Sequence, residues 1–362
     1  MTDSHISDIK WMKRAIHLAS LGKGSTSPNP MVGAVILDKN GNLISEGFHS
    51  KAGMPHAEAM AFNNLKKDAR EGTIYVNLEP CCHQGKTPPC VDRIISFGIK
   101  KVFISIEDPD KRVSGKGIKL LKDAGIKVHQ GLCEREALKL NKSFIHRHIT
   151  DGAFGVMKWA MSMDGRVGLK NGKSKWISNK DSRSLVHSYR AGFDAVVIGG
   201  NTLRKDNPLL TSRGLRNPEP LRVVFTKTLD LPENSNLWDC QSARTLVVYD
   251  GSTADIEYLK RIPEGVEIEE LSSDNPIMLS KLLAQKGCNN IFWECGPKLA
   301  TAAIKSGCVQ ELMTFIAPKL LGGEGSMNPF SDFEFNDMDQ VLNLKELEFS
   351  FIGDDICVKS TV

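Results

Sequence analysis

No stretch of the 362-residue chain approaches the ~18 apolar residues that a membrane helix requires. The segment Met1 to Lys10 is polar, without the apolar core of a signal peptide. Neither membrane insertion nor secretion is expected. Aromatic residues make up only 7%, and the basic residues are dispersed, with a formal net charge of +4. A protein that grips nucleic acid needs a concentrated basic face or stacking aromatics. Nucleic acid is therefore not expected as a partner, and neither is a membrane surface. Repeats, heptads and low-complexity tracts are absent. Of nine cysteines only Cys81, Cys82 and Cys90 cluster. An odd, scattered set argues against a disulfide scaffold and fits reduced thiols in a cytoplasmic protein. The Gly-x-Gly-x-x-Gly mark of a Rossmann dinucleotide site is also missing.

What is present is the mix of a globular protein, 41% hydrophobic and 25% charged. The length suggests two or three domains at ~100–200 residues each. Strand and helix patterns alternate. Asp8 to Leu21 reads as a helix, Met31 to Leu37 as a buried strand, and Asn40-Gly41 as a hairpin turn into Leu43 to Phe48. His56 to Lys67, Val91 to Phe97, Gly117 to Ala124 and Arg135 to His146 read as helices; Thr73 to Leu78, Lys101 to Ile106 and Lys127 to Gln130 read as strands. A boundary near Asp151-Gly152 separates a domain 1–150 from a domain 151–362. The second alternates likewise, with strands at Val156 to Met161, Ala195 to Ile198, Leu221 to Thr226, Thr245 to Tyr249, Asn290 to Glu294 and Glu311 to Ile316. Its helices fall at Lys180 to Arg190 and Lys298 to Ser306, and Pro263 to Asn275 reads as loop with one short strand. Both domains are expected to be α/β.

The strongest chemical signal is His56-Ala57-Glu58 followed by Glu79-Pro80-Cys81-Cys82-His83 and Pro88-Pro89-Cys90. One imidazole and two thiolates give zinc three ligands and leave a position for water, whose pKa the metal lowers from ~15.7 towards ~7. A carboxylate beside the metal then moves the proton to a leaving amine. His-x-Glu with Pro-Cys…Cys is the arrangement of zinc deaminases of the cytidine type, in which the Glu is the acid/base and not a ligand. Glu58 takes that role here. The spacing departs from the usual shorthand of two residues between cysteines, since eight separate Cys81 from Cys90. His56, Cys81 and Cys90 are assigned as ligands, with Cys82 and His83 as rivals. A closed four-ligand site that only staples the loop is the alternative, although it has no need of His-x-Glu. Asn29, between Pro28 and Pro30, can read the edge of a heterocycle through its amide, or merely shape the turn.

These residues resemble a known family. Pro28-Asn29-Pro30 with Val32-Gly33, His56-Ala57-Glu58, and Glu79-Pro80-Cys81 through Gly85-Lys86-Thr87-Pro88-Pro89-Cys90 are similar to the bifunctional riboflavin-biosynthesis deaminase/reductases. The second half resembles the same family at Met161-Ser162-Met163-Asp164-Gly165-Arg166, Ser174-Lys175-Trp176-Ile177-Ser178, Asp206-Asn207-Pro208-Leu209-Leu210-Thr211, Glu294-Cys295-Gly296-Pro297 and Ala317-Pro318-Lys319-Leu320-Leu321-Gly322-Gly323. The resemblance implies a cytidine-deaminase-like three-layer domain followed by a dihydrofolate-reductase-like domain. It implies one zinc ion, NADPH, and a small phosphoribosylaminopyrimidine substrate that is deaminated and then reduced at its ribose. A homo-oligomer is expected.

By the same resemblance, Ala160, Ser162, Trp176, Ser178, Thr202, Asp206, Gly296 and Pro297 would lie along the cofactor. Lys158, Ser174, Arg190, Leu210, Arg213 and Glu294 would face the phosphoribosyl substrate. His49 and Lys86 join Asn29 as substrate contacts in the first domain. The chemistry agrees in part: Lys158, Arg190 and Arg213 suit a phosphate, and Asp206 could manage a proton at the reacting imine, or equally be a turn residue before Asn207-Pro208. Gly199-Gly200-Asn201-Thr202 and the Gly296 loop end strands with glycine, where helix N-termini accept phosphate but where glycine is also common as a plain turn. Arg183, Arg204 and Lys205 are candidates for a 2′-phosphate, with none preferred. Two other classes of function compete with this reading. One is a deaminase of nucleic-acid bases, which the dispersed charge disfavours. The other is a zinc-stapled binding module in which one half has lost its activity.

Overall fold

The computed structural model describes residues 3–83, 88–332 and 334–362. It divides into two compact units, Met1–Thr150 and Asp151–Val362.

The first unit is built on a five-stranded sheet, ordered β2-β1-β3-β4-β5. Its strands are β1 (Gly33–Leu37), β2 (Leu43–Phe48), β3 (Thr73–Leu78), β4 (Lys101–Ile106) and β5 (Lys127–Gln130). β1 runs antiparallel to β2 and β3, whereas β3, β4 and β5 are parallel. Its helices are α1 (Asp3–Ser20), α2 (Ala57–Asn63), α3 (Cys90–Ser96), α4 (Lys116–Asp123) and α5 (Glu134–Thr150). β1 is buried on both faces, and the period of two in a strand sends its side chains into different cores. Ala34 and Ile36 pack with Ala57, Ala61, Val91, Ile94, Ile118 and Leu121 from α2, α3 and α4. Val35 and Leu37 pack with Met12, Ala15 and Leu18 of α1. The result is three layers. Gly47 on β2 lets α2 lie directly on the strand: a Cβ there would stand 2.5 Å from Ala61 N and 2.7 Å from Ala57 O.

The second unit has a nine-stranded sheet, ordered β10-β9-β8-β7-β11-β6-β12-β14-β13. The strands are β6 (Phe154–Ser162), β7 (Ala195–Gly199), β8 (Leu221–Thr226), β9 (Thr245–Asp250), β10 (Glu267–Leu271), β11 (Asn290–Trp293), β12 (Glu311–Ala317), β13 (Lys345–Ile352) and β14 (Asp355–Thr361). All pairings from β10 to β12 are parallel, and only β14 and β13 are antiparallel to their neighbours. The helices are α6 (Lys180–Arg190), α7 (Gly200–Asp206), α8 (Pro276–Gln285) and α9 (Pro297–Lys305). Parallel strands are covered on both faces and read as continuous apolar runs, as in Ala195–Ile198 and Leu246–Val248. α8 and α9 cover one face, burying Leu279, Leu283, Ala300 and Ala303 with Trp293. Val186 of α6 and Leu203 of α7 pack on the other with Phe292 and Phe315.

Four elements lie beyond the sequence expectations. α7 follows Gly199 directly. α8 starts with Asn275, whose side chain accepts from Ile277 N, and Pro276 in its first turn. β13 and β14 form a terminal hairpin. β13 is an edge strand on which Leu347, Phe349 and Phe351 are 60%, 77% and 75% exposed.

Candidate functional site

In the first unit, α2 begins where the chain leaves an extended residue, His56, which holds the N-cap position without a side-chain capping bond. Its ring is engaged elsewhere. Cys81 Sγ lies 3.5 Å from His56 Nδ1, and Cys90 Sγ lies 3.6 Å from the same nitrogen. Ligands at ~2.0–2.3 Å from a tetrahedral zinc stand ~3.5 Å apart, so the donor set and its spacing fit that ion. Among the described residues, these three form the cluster of metal-ligating side chains. Cys82 is half-buried against the core and His83 is exposed; neither belongs to the cluster.

Two features set the loop. Pro80 and Pro89 stiffen its ends, and Cys90 opens α3. The Glu79 carboxylate accepts from three backbone N–H groups, of Asp108 (3.2 Å), Gly115 (2.9 Å) and Ile118 (3.1 Å). That carboxylate fixes the end of β3 one residue before Pro80. Hydrogen bonds from Cys90 and His56 lower the Cys81 thiol to about 4, while its bond with Cys81 and burial keep the Cys90 thiol high. Glu58, one residue into α2, is 3% exposed. Burial, and then the negative charge of Cys81, raise it to about 7 despite His56.

Asn29 and His49 join this site from neighbouring elements. His49 Nδ1 lies 3.1 Å from Pro55 O, and Asn29 Nδ2 lies 3.0 Å from His49 Nε2. Nδ1 therefore carries the proton and Nε2 accepts from Asn29. Burial lowers the His49 pKa, consistent with a neutral ring. The segment after Asn29 is clamped by two amides that sequence reading missed. Asn141 bonds both Met31 N and Met31 O, and Asn77 bonds Gly33 N and Met31 O. Their only signal is polar residues inside apolar runs. Lys86 lies outside the described residues.

In the second unit, a cleft of about 1060 Å³ opens at the carboxyl ends of β6, β7 and β11, where open α/β sheets bind ligands. It is lined by Lys158, Ala160, Ser174, Trp176, Ser178, Arg190, Thr202, Asp206, Leu210, Arg213, Glu294, Gly296 and Pro297. Ser162 is the exception. Its hydroxyl is wholly buried and donates to Asp164 Oδ1 at 2.5 Å, and it does not line the cleft. Ser162 ends β6 on the same face as Ala160, but its hydroxyl is taken up by Asp164 and by the backbone of Arg166, whose N–H donates to it at 3.0 Å.

At the cleft floor Arg190 and Glu294 pair in two parallel bonds, 2.5 and 3.0 Å. Burial alone would raise Glu294, but Arg190 and then Lys158 bring it below its ordinary value. Burial lowers the Lys158 ammonium against the pull of Glu294. Leu210 and Arg213 adopt φ values of 54° and 63°, a region costly for residues other than glycine. Arg190 Nη1 holds this strained loop through Thr211 O at 3.0 Å. Asp206 ends α7, 3.5 Å from Lys175 Nζ. Gly296 caps α9 ahead of Pro297, with its helix N-terminus at the cleft. Of the 2′-phosphate candidates, Arg183 and Lys205 line the cleft, whereas Arg204 turns to Asp230. The donors and the helix terminus fit a phosphorylated dinucleotide.

Two family models match the chain: the cytidine and deoxycytidylate deaminase zinc-binding region over residues 5–106, and the RibD C-terminal domain over residues 153–358. The chain is 42% identical over 352 residues to the riboflavin biosynthesis protein RibD of Synechocystis, covering 97% of this chain and 95% of that one. The solved structure of Acinetobacter baumannii RibD (form 2) superposes with a TM-score of 0.89 at 34% identity, covering 99% of each chain. The diaminohydroxyphosphoribosylaminopyrimidine deaminase/5-amino-6-(5-phosphoribosylamino)uracil reductase of Thermotoga maritima does so at 0.88 and 33%, again over 99% of each. With its zinc-binding deaminase region and its reductase region in this order, the chain belongs to the RibD family of bifunctional riboflavin-biosynthesis deaminase/reductases.

Proposed function

We propose that residues 1–150 deaminate 2,5-diamino-6-(5-phosphoribosylamino)pyrimidin-4(3H)-one, and that residues 151–362 reduce the ribosyl group of the resulting uracil to a ribityl chain with NADPH. The observation that carries the reading is the buried Glu58 beside the His56, Cys81 and Cys90 cluster. When bound, zinc supplies Lewis-acid activation of water. Glu58 takes the proton that water gives up and delivers it to the departing amino group, so that the ring gains a carbonyl and ammonia leaves. A carboxyl raised to about 7 is suited to both halves of that transfer near neutrality. Asn29, its amide oriented by His49, reads the ring edge, and His49 faces the rest of the substrate; Lys86, a substrate contact by resemblance, lies outside the described residues.

In the second unit NADPH supplies the hydride. Arg190 and Glu294 hold each other, which leaves Lys158 and Arg213 to receive the phosphoribosyl arm with Ser174 and Leu210. Asp206 manages the proton at the sugar. Ala160, Trp176, Ser178 and Thr202 flank the dinucleotide, with Gly296 and Pro297 at its phosphates. Arg183 and Lys205 read the 2′-phosphate. Ser162 supports the site from behind rather than touching the cofactor. The enzyme acts in the cytoplasm as a homo-oligomer. An apolar stripe of Leu347, Phe349 and Phe351 on an edge strand supports self-association, and the mass in solution tests it. Among the described residues no helix is long and apolar enough to cross a membrane.

The deciding experiment follows NADPH absorbance with the diaminopyrimidinone ribosyl phosphate, with and without prior zinc chelation. Consumption only with zinc intact assigns both halves and their order. Consumption regardless of zinc would show that the aminated ring is reduced directly and overturn the order.

A further inference from the structure

We propose that Lys319 is a positioning residue of the reductase: it holds the 174–178 wall of the cleft in the shape that receives the dinucleotide. The proposal rests on the reading of that cleft given above. Residues 174–178 belong to no helix or strand; their only regular feature is a turn at Lys175 and Trp176. Trp176 is 63% exposed, so burial does not anchor it. Ile177 and Ser178 are buried, at 8% and 9% exposure, and anchor one end of the wall; the rest is held by side chains reaching in from outside. The Lys319 ammonium donates to Trp176 O at 2.8 Å and to Ile177 O at 2.7 Å. Arg183 Nη1 donates to Ser178 O at 2.6 Å, and its guanidinium lies 4.4 Å from the centre of the Trp176 ring. Asp355 accepts from Asn179 N at 2.8 Å and closes the segment.

Lys319 is itself held in place. Its carbonyl accepts from Met163 N at 2.9 Å. Asp164 accepts from Leu321 N at 3.1 Å and Gly322 N at 2.7 Å, and from the Ser162 hydroxyl. Ser162 and Asp164 therefore register the 319–322 loop on the end of β6, and Lys319 carries that registration across to the cleft wall. An ammonium shared by two neutral carbonyls forms charge-assisted bonds. Among the described residues it has no carboxylate partner, so its role is to gather the two carbonyls of a turn.

The test uses the full chain and two substitutions, Lys319→Met and Lys319→Arg. Without any ligand, hydrogen exchange of the peptide covering 174–179 is expected to speed up roughly tenfold in K319M and to return towards wild type in K319R. With the deaminated intermediate, KM for NADPH is expected to rise roughly tenfold in K319M while kcat changes by less than about threefold. Deamination by the same protein should stay unchanged. Unchanged exchange at 174–179 in K319M would overturn the proposal, as would a parallel loss of deamination. If K319M does not fold, Asp355→Asn loosens the same segment from its other end and is read the same way. Wild-type protein that oxidises no NADPH would sink the reading of the cleft, while the exchange comparison would still decide the role of Lys319.

Discussion

Arg190 and Glu294 stand 104 residues apart in the chain and meet as a two-bond ion pair whose side chains are only 10% and 11% exposed. Breaking such a pair from one side strands a buried charge, which costs about 3–5 kcal/mol. Glu294→Ala is expected to lower the melting transition of the second unit and abolish NADPH oxidation while deamination persists. Calorimetry with paired activity assays checks this, and a variant that melts like wild type would show the pair to be energetically idle.

Glu58→Gln keeps the shape of the side chain but cannot carry a proton. Deamination should fall by at least a hundredfold, with zinc content by metal analysis unchanged and reduction of the pre-deaminated intermediate intact. Zinc lost along with activity would make Glu58 a ligand or a support, not the acid/base.

Arg213 carries a backbone conformation that glycine adopts without strain. Arg213→Gly is expected to stabilise the second unit by about 0.5–1 kcal/mol, and yet to raise KM for the phosphoribosyl substrate at least tenfold. Opposite signs for stability and affinity are the signature of strain kept for binding. A variant that is merely less stable would deny Arg213 that role.

Asp108 is raised from 3.8 to about 6, chiefly by burial. A folded carboxyl that holds its proton more tightly than the unfolded chain favours folding at low pH. Its contribution fades as pH climbs from about 4 to about 6, leaving a cost above that. Asp108→Asn still accepts from Asp110 N. It should match wild type at pH 4 and be more stable by about 2 kcal/mol at pH 7, as denaturant titrations at the two pH values would show. Equal stability at both would mean Asp108 is effectively solvated.

Much of this was legible in the sequence because local chemistry and fold agree. β3, β4, β5, α6 and β8 fall where apolar runs and turn residues set them. The zinc cluster is short-range in pattern: a helix start and a proline-stiffened loop. α8 is not among the sequence expectations: Asn275 and Pro276 are a capping signal, but the mostly apolar run Ile277–Ala284 shows little of the one-sided period that marks a helix. β13 alternates Leu347, Phe349 and Phe351 with Glu348 and Ser350, a strand pattern that fell in a stretch without other landmarks. Ser162 is expected along the cofactor from the resemblance, and no sequence pattern shows that its hydroxyl bonds Asp164 outside the cleft lining. Asn77 and Asn141 were invisible for the same reason: their partners on Met31 and Gly33 are made by tertiary folding alone.

The strand order of the second sheet also governs when this protein can become active. β11 is threaded between β6 and β7, although the chain makes it about a hundred residues after β7. On the ribosome, the first unit can fold as soon as α5 emerges, from mostly nearby pairings. The second must wait with its central slot empty and two apolar strand edges bare, until residues near 290 arrive to fill it. Long-range closure of that kind is slow and exposes sticky surface meanwhile. Newly made chains should therefore acquire the hydrolytic activity first and the reductive one later, and the late-closing half is where misfolding would begin.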